Sequence, residues 1–264
     1  MTESGIHPTA VVSDGAVIGV GTEIGPFSVI GPHVVIGANN RIGSHVVIEG
    51  HTTIGDENQI FQFASVGAQP QDLKYSGEPS TLTIGNKNRI REYVTLQPGT
   101  KGGGMKTVIG SENLFMATVH VGHDCIVGSG NIFANGVALA GHVVVGDYIL
   151  LGGLSGVHQF VRLGDHAMLG AGSMVAQDIP PFCVAQGDRA ALVGIHQIGL
   201  SRRGFADEQI AELKQAFRAL FVKSGGTFKE RLQTLKANTN AGELVSRLVE
   251  FIESSERGIA PSRK

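Results

Sequence analysis

A left-handed parallel β-helix with a small C-terminal helical domain is the fold this sequence predicts. Three observations carry it. An aliphatic residue recurs at every sixth position, glycine often follows it, and a helical pattern replaces this repeat only beyond Phe205.

The repeat reads Ile6, Val12, Ile18, Ile24, Ile30, Ile36, Ile42, Ile48, Ile54, Ile60 and Val66, returns at Ile84, Ile90 and Leu96, and restarts one residue out of phase at Ile109. From there it runs through Phe115, Val121, Val127, Phe133, Leu139, Val145, Leu151, Val157, Leu163, Leu169 and Val175. Self-similarity at a fixed period marks a solenoid. A period of six matches neither an α-helix nor simple strand alternation. It suits a triangular coil in which each hexapeptide makes one short strand and one tight corner. The aliphatic side chain points inward, and three hexapeptides close one coil. Coils stack about 4.8 Å apart, as strands of a parallel sheet do. Each coil then buries its apolar residues against its neighbours.

The coils span roughly residues 6–180, within a first unit set at 1–190. Two segments interrupt them: AQPQDLKYSGEPST at 68–81 and PGTKGGGMKT at 98–107, both rich in turn formers. Loops thrown out of a rigid scaffold are common carriers of function. Pro180-Pro181 ends the repeat, and residues 191–264 are a connector followed by helices. Ile210, Leu213, Phe217, Leu220 and Phe221 form an apolar stripe at helical spacing that ends at Gly225-Gly226. Two further helices are expected at 228–237 and 241–255.

Glycine, 38 of 264 residues, is about twice as common as average, as repeat corners require. Two cysteines, Cys125 and Cys183, are too few for a disulfide framework. No N-terminal basic-then-apolar segment and no eighteen-residue apolar run occurs, so no signal peptide and no membrane insertion are expected, and the location expected is cytoplasmic. Residues 1–201 carry 9 Lys/Arg against 15 Asp/Glu, whereas residues 202–264 carry 12 against 8. Composition alone reads the basic C-terminal part as a solvated helical surface. Ice-binding or scaffolding β-helices should carry regular Thr or Asn ladders on a flat face, and no such ladder is read here.

The coil geometry also places chemistry. Residues eighteen apart stack, so His123, Gly141-His142 and His158-Gln159 gather on one edge of the prism, with His120 nearby. Asp124 follows His123, and an adjacent carboxylate fixes an imidazole tautomer and raises its basicity. A histidine so held suits general-base work near neutral pH. An accessible backbone N–H at Gly141 suits an oxyanion. Base plus oxyanion donor implies direct acyl transfer to a hydroxyl or amine, since no nucleophilic Ser or Cys accompanies them. His7, His33, His45, His51 and His166 are read as surface or corner residues. A zinc site shared by histidines across a trimer is the rival reading. The expected metal content is nevertheless none, and no cofactor is expected.

At these residues the chain resembles the bacterial UDP-N-acetylglucosamine O-acyltransferases of lipid A synthesis. The resemblance rests on the repeats, QDLKYSGEP at 71–79, HVGHDC at 120–125, LAGH at 139–142, VHQF at 157–160, AQDIPP at 176–181 and RRGF at 202–205. It implies a homotrimer with active sites between subunits. It also implies transfer of a (3R)-hydroxyacyl chain from the phosphopantetheine thioester of acyl carrier protein to the sugar 3-hydroxyl. His123 is then the base, Asp124 its orienting partner and Gly141 the oxyanion donor. Asp72, Lys74, His120, His142, His158 and Gln159 become substrate contacts. Arg202 and Arg203 suit the diphosphate of a UDP-sugar, with His196 in the same substrate-binding segment. The basic C-terminal region would meet the acidic carrier protein; no nucleic acid is implied. Ala171 matches a position that limits acyl length in the family, where glycine permits a longer chain. Two departures stand out: His196 and Ile198 replace Asn and Glu, and Gln97-Pro98 replaces His-Arg. They leave open a 3-amino sugar acceptor, which would give an amide.

Overall fold

The computed structural model describes residues 5–222, 225–238 and 241–263. The strands of the described residues form three sheets of 11, 9 and 8 strands, parallel but for the last strand of the first, and these are the three faces of a triangular prism. We number the faces in chain order from Gly5–Ile6, Val11–Val12 and Val17–Ile18. Successive coils stay in register: Ile24 pairs with Ile42, Ile30 with Ile48 and Ile36 with Ile54. In nearly every two-residue strand the second residue is the aliphatic one and points inward, so the prism fills with the residues the six-fold count selected. Phe115 and Phe133 stack in this interior at 4.7 Å.

The corners explain the small residue after each aliphatic one. A Cβ at Gly19 would fall 2.3 Å from the backbone of Gly37 in the next coil, so the stack tolerates only hydrogen there. Other corner positions adopt positive φ, among them Asp124, His142 and Phe160 at 60°, 63° and 65°. Non-glycine residues seldom occupy this region.

Both interruptions are insertions between in-register strands. Across the second, Leu82 pairs with Thr107 and Ile84 with Ile109, so the extra residues leave the ladder intact. The second segment is not simply ejected, as its composition suggested. Gln97, Pro98, Gly99 and Thr100 are buried, because Asp124 draws the backbone back as a hydrogen-bond partner.

A ladder is present after all, inside rather than on a flat face. Asn40, Asn58, Asn88, Asn113 and Asn131 stack fully buried at the edge between the third and first faces. Asn58 donates its backbone N–H to Asn40 Oδ1 at 2.8 Å, and the pattern repeats upward. The side-chain amides also donate to corner carbonyls, which satisfies polar groups that burial would otherwise penalise.

Past the last coil a hairpin, Cys183–Gln186 and Ala191–Ile195, pairs antiparallel and extends the first face. Four α-helices follow among the described residues: α1 (Gln197–Arg202), α2 (Asp207–Phe217), α3 (Phe228–Lys236) and α4 (Glu243–Glu253). The stripe expected to run as one helix to Gly225 ends as α-helix at Phe217 and widens into a π-helical turn, Arg218–Val222. The capping box of Thr227 and Glu230 starts α3. Amphipathic α4 buries Leu244, Val245, Leu248, Val249 and Ile252. Arg247 ties it to Asp165 of the prism. The last residues return across the coils, bridging Asp178 to Ile259 and Leu192 to Ser262.

Candidate active site

Three corner tripeptides stack at the edge between the second and third faces: Gly122-His123-Asp124, Ala140-Gly141-His142 and His158-Gln159-Phe160. Coil register sets this, since His142 N–H donates to His123 O at 2.9 Å and Phe160 N–H to Gly141 O at 3.4 Å.

Buried Asp124 is the anchor. Its carboxylate accepts the Thr100 backbone N–H at 3.0 and 3.1 Å and the Thr100 hydroxyl at 2.6 Å, while its own N–H donates to Thr107 Oγ1 at 2.8 Å. The second inserted segment therefore wraps this carboxylate. A Cβ at Gly103 would lie 2.0 Å from the Asp124 carboxyl carbon, so glycine is required at that point of the wrap. His123 Nδ1 sits 2.9 Å from Asp124 Oδ2. An ionised carboxylate only accepts, so Nδ1 carries the proton and Nε2 is left with its lone pair.

The His123 ring lies flat against Gly141. A Cβ there would fall 2.4 Å from Cε1 and 2.6 Å from Nε2. Among the described residues the Gly141 N–H has no acceptor, although its corner neighbours on either side are paired. Corner amides at this position of the coil commonly lack a backbone acceptor, as at Ala117, Asn135 and Gly153, but this one belongs to a residue that lines the groove and packs against the His123 ring.

His142 stacks on Phe160 at 4.4 Å and meets His123 edge-on at 5.1 Å. Burial lowers its basicity, and it feels the nearby Asp72 carboxylate. His120, on the second face, places Nδ1 2.7 Å from Thr95 Oγ1, and burial followed by the nearby His123 lowers its pKa. His120, His123, His158 and Gln159 line one groove of about 880 Å³ with Gly141. Its floor is formed by Ala138, Gly156 and Met174, stacked in register along the second face.

The first inserted segment presents Asp72 and Lys74 beside this edge, with Lys74 N–H donating to Asp72 Oδ1 at 3.0 Å. Its neighbour Gln71 lines the groove and donates its N–H to Gln97 Oε1 at 3.2 Å. Glu78 joins the two segments by accepting the N–H groups of Lys101 and Ser76, which lower its pKa to about 2. Leu73 at the tip is fully exposed.

The remaining sequence candidates lie elsewhere in the chain. His196 precedes α1 and donates from Nδ1 to the carbonyl of His166 at 3.1 Å. Arg203 stacks 4.3 Å over Tyr148, at the opposite edge between the third and first faces. Arg202 ends α1 beside it. His166 sits at a corner, as read, but among aromatic rings: it is sandwiched between Tyr148 and Phe182, its Nδ1 has no partner among the described residues, and burial, then Arg203, lowers its pKa to about 4. Ala171 is exposed at the edge between the first and second faces, outside the groove lining. One chain thus unites the His123 cluster and leaves His196, Arg202 and Arg203 across the prism.

Ligand atoms of His123, Asp124 and His142 lie within 4.8 Å of one another, a set able to hold a metal. Their hydrogen bonds argue for another use. Both Asp124 oxygens are already engaged by Thr100 and His123, which is the arrangement of an oriented base. The sequence reading singled out the stretches that hold Gln71, Gln97, Thr100 and Thr107, but not the contacts these residues make.

Comparison with known proteins bears on this geometry. Residues 178–260 match the family model described as UDP N-acetylglucosamine O-acyltransferase, domain 2, and residues 15–50 match bacterial transferase hexapeptide repeats. A Myxococcus xanthus protein named acyl-[acyl-carrier-protein]–UDP-N-acetylglucosamine O-acyltransferase is 54% identical, covering 96% of this chain and 98% of its own. A Sulfurovum protein of the same name is 50% identical, with 99% of each chain covered. The crystal structure of a Moraxella catarrhalis UDP-N-acetylglucosamine O-acyltransferase is 41% identical, superposes with a TM-score of 0.93 and covers 97% of this chain and 99% of that one.

Proposed function

The chain belongs to the acyl-[acyl-carrier-protein]–UDP-N-acetylglucosamine O-acyltransferase family, and we propose that it performs that reaction with His123 as base and Gly141 as oxyanion donor. A (3R)-hydroxyacyl chain passes from the carrier-protein thioester to the sugar 3-hydroxyl, the first step of lipid A synthesis. The observation that carries the residue assignment is the bond of His123 Nδ1 to Asp124, with the ring packed so closely against Gly141 that only a glycine fits beside Nε2.

His123 Nε2 takes the proton of the sugar 3-hydroxyl as its oxygen attacks the thioester carbonyl. The carbonyl oxygen becomes negative and receives the Gly141 N–H. Collapse breaks the C–S bond, and the leaving thiolate takes the proton back from the imidazolium. Asp124 stays ionised throughout and stabilises the imidazolium through Nδ1–H. The apolar floor of the groove suits an acyl chain, and His120, His142 and Gln159 surround the reacting centre as polar contacts. No metal enters this scheme; a chelator should leave the rate unchanged.

The active unit is read as a homotrimer in the cytoplasm. Support for the trimer comes from the division of the site. Asp72, Lys74 and His123 lie at one edge and His196, Arg202 and Arg203 at another, so a neighbouring subunit's edge completes the nucleotide-sugar site. Ala171, outside the groove of the single chain, is read as the limit of the acyl slot from the family resemblance, its methyl standing in place of glycine. Mass spectrometry of the product formed from hydroxyacyl carrier protein and UDP-N-acetylglucosamine tests the reaction: a mass increase of one hydroxyacyl group is expected, and an unmodified sugar refutes it.

A further inference from the structure

Beyond α4 the chain folds back as a strap over the last coils. Asp178, almost wholly buried, organises it. Its carboxylate accepts the Arg162 N–H and the Ser255 hydroxyl, each at 2.8 Å, and its backbone pairs with Gly258 and Ala260. Pro261 of the strap then forms part of the groove wall.

The strap delivers Arg257 to the groove. Its Nε–H donates to the Ala176 carbonyl at 2.7 Å, and its Nη2 lies 2.8 Å from His158 Nδ1. Ala176 and His158 both line the groove. A guanidinium carries donors and no acceptor. His158 Nδ1 must therefore accept, and the ring proton sits on Nε2. The Gln159 carbonyl, 3.2 Å from the same Nδ1, would favour the other tautomer; the shorter contact to an obligate donor decides between them.

We infer that Arg257 is a positioning residue that holds His158 as an Nε2–H donor in the groove, for a carbonyl or hydroxyl oxygen of the bound acyl donor. The donor, rather than the sugar, follows from position. The sugar's reacting hydroxyl belongs at His123 Nε2, near Asp72 and Lys74. His158 stands one coil beyond His142, where the groove continues over Met174 and Ala176 toward the strap. The inference rests on reading this groove as the acyl-donor site.

A double-mutant cycle tests it, with KM measured separately for acyl carrier protein and for the UDP-sugar. Arg257→Met keeps the aliphatic stem and removes the donors. It should raise the donor KM about tenfold, the cost of one hydrogen bond to a charged group, and leave the sugar KM unchanged. His158→Ala should reproduce the same split, the double variant should be no worse than His158→Ala, and Arg257→Lys should recover most of the loss. Thermal unfolding of each variant reports any loosening of the strap. A donor KM within twofold of wild type in both single variants overturns the inference, as do effects that multiply in the double variant. A wild-type protein that transfers no acyl group refutes the site reading instead.

Discussion

Replacing Gly141 by Ala should abolish most activity while leaving the fold intact. The added Cβ would sit 2.4 Å from His123 Cε1 and 2.6 Å from Nε2, closer than packed atoms allow. Something must shift, and neither partner moves freely. The ring is fixed by its 2.9 Å bond to Asp124, which Thr100 and Thr107 hold in turn. Swinging the ring away gives up a charge-assisted bond worth about 1.5–3 kcal/mol. Shifting the corner instead displaces the oxyanion donor, and a misplacement of about 1 Å costs roughly 10²-fold. Losing such a donor outright costs about 10²–10³ in kcat. We therefore expect kcat to fall by about 10²–10³ with both KM values little changed. The corner faces the groove, so the melting temperature should move by only a few degrees. Steady-state kinetics with each substrate varied, together with circular dichroism melting, separates these quantities. A Gly141→Ala enzyme with kcat within threefold of wild type would refute the packing of ring against amide.

Other substitutions probe the surrounding structure. Thr100→Val removes the hydroxyl on Asp124 and should destabilise by about 1–3 kcal/mol in denaturant unfolding while lowering kcat; unchanged values of both would show that the wrap is incidental. His166 has its pKa lowered to about 4, so the folded state prefers it neutral, and stability present above its ordinary value near 6.5 should drain away as pH falls from there toward 4. His166→Phe keeps the ring between Tyr148 and Phe182 and should flatten that part of the pH–stability curve; an unaltered curve contradicts the assignment. Ala171→Gly should shift acyl preference toward longer chains in a mixed-donor competition, and an unchanged profile would exclude Ala171 as the limit. Co-refolding His123→Ala with Arg203→Ala, each feeble alone, should restore part of the activity if each site is built from two subunits; no recovery would place the site within one chain.

The prism was legible because its period is a packing constraint. Each inward Ile or Val must meet the next coil, so phase survives in the chain itself. The same arithmetic placed His123 beneath Gly141 and Gly141 beneath Gln159. It did not reveal the wrap of Thr100 around Asp124, because that contact depends on how an inserted segment of turn formers folds back, and no periodicity governs it. The Asn ladder was hidden similarly: insertions break its spacing between Asn58, Asn88 and Asn113. The hairpin at Cys183–Ile195 followed Pro180-Pro181, which reads as an end rather than a bend. Arg257 and His158 lie 99 residues apart and meet only because Asp178 seats the strap.

The kcat of His123→Ala, measured on a protein whose oligomeric state and melting temperature match wild type, tests the central claim most directly. The account predicts a loss of about 10²–10⁴, the contribution of a positioned general base, with substrate KM values nearly unchanged. Near-normal turnover would contradict it and remove the proton-transfer role from His123.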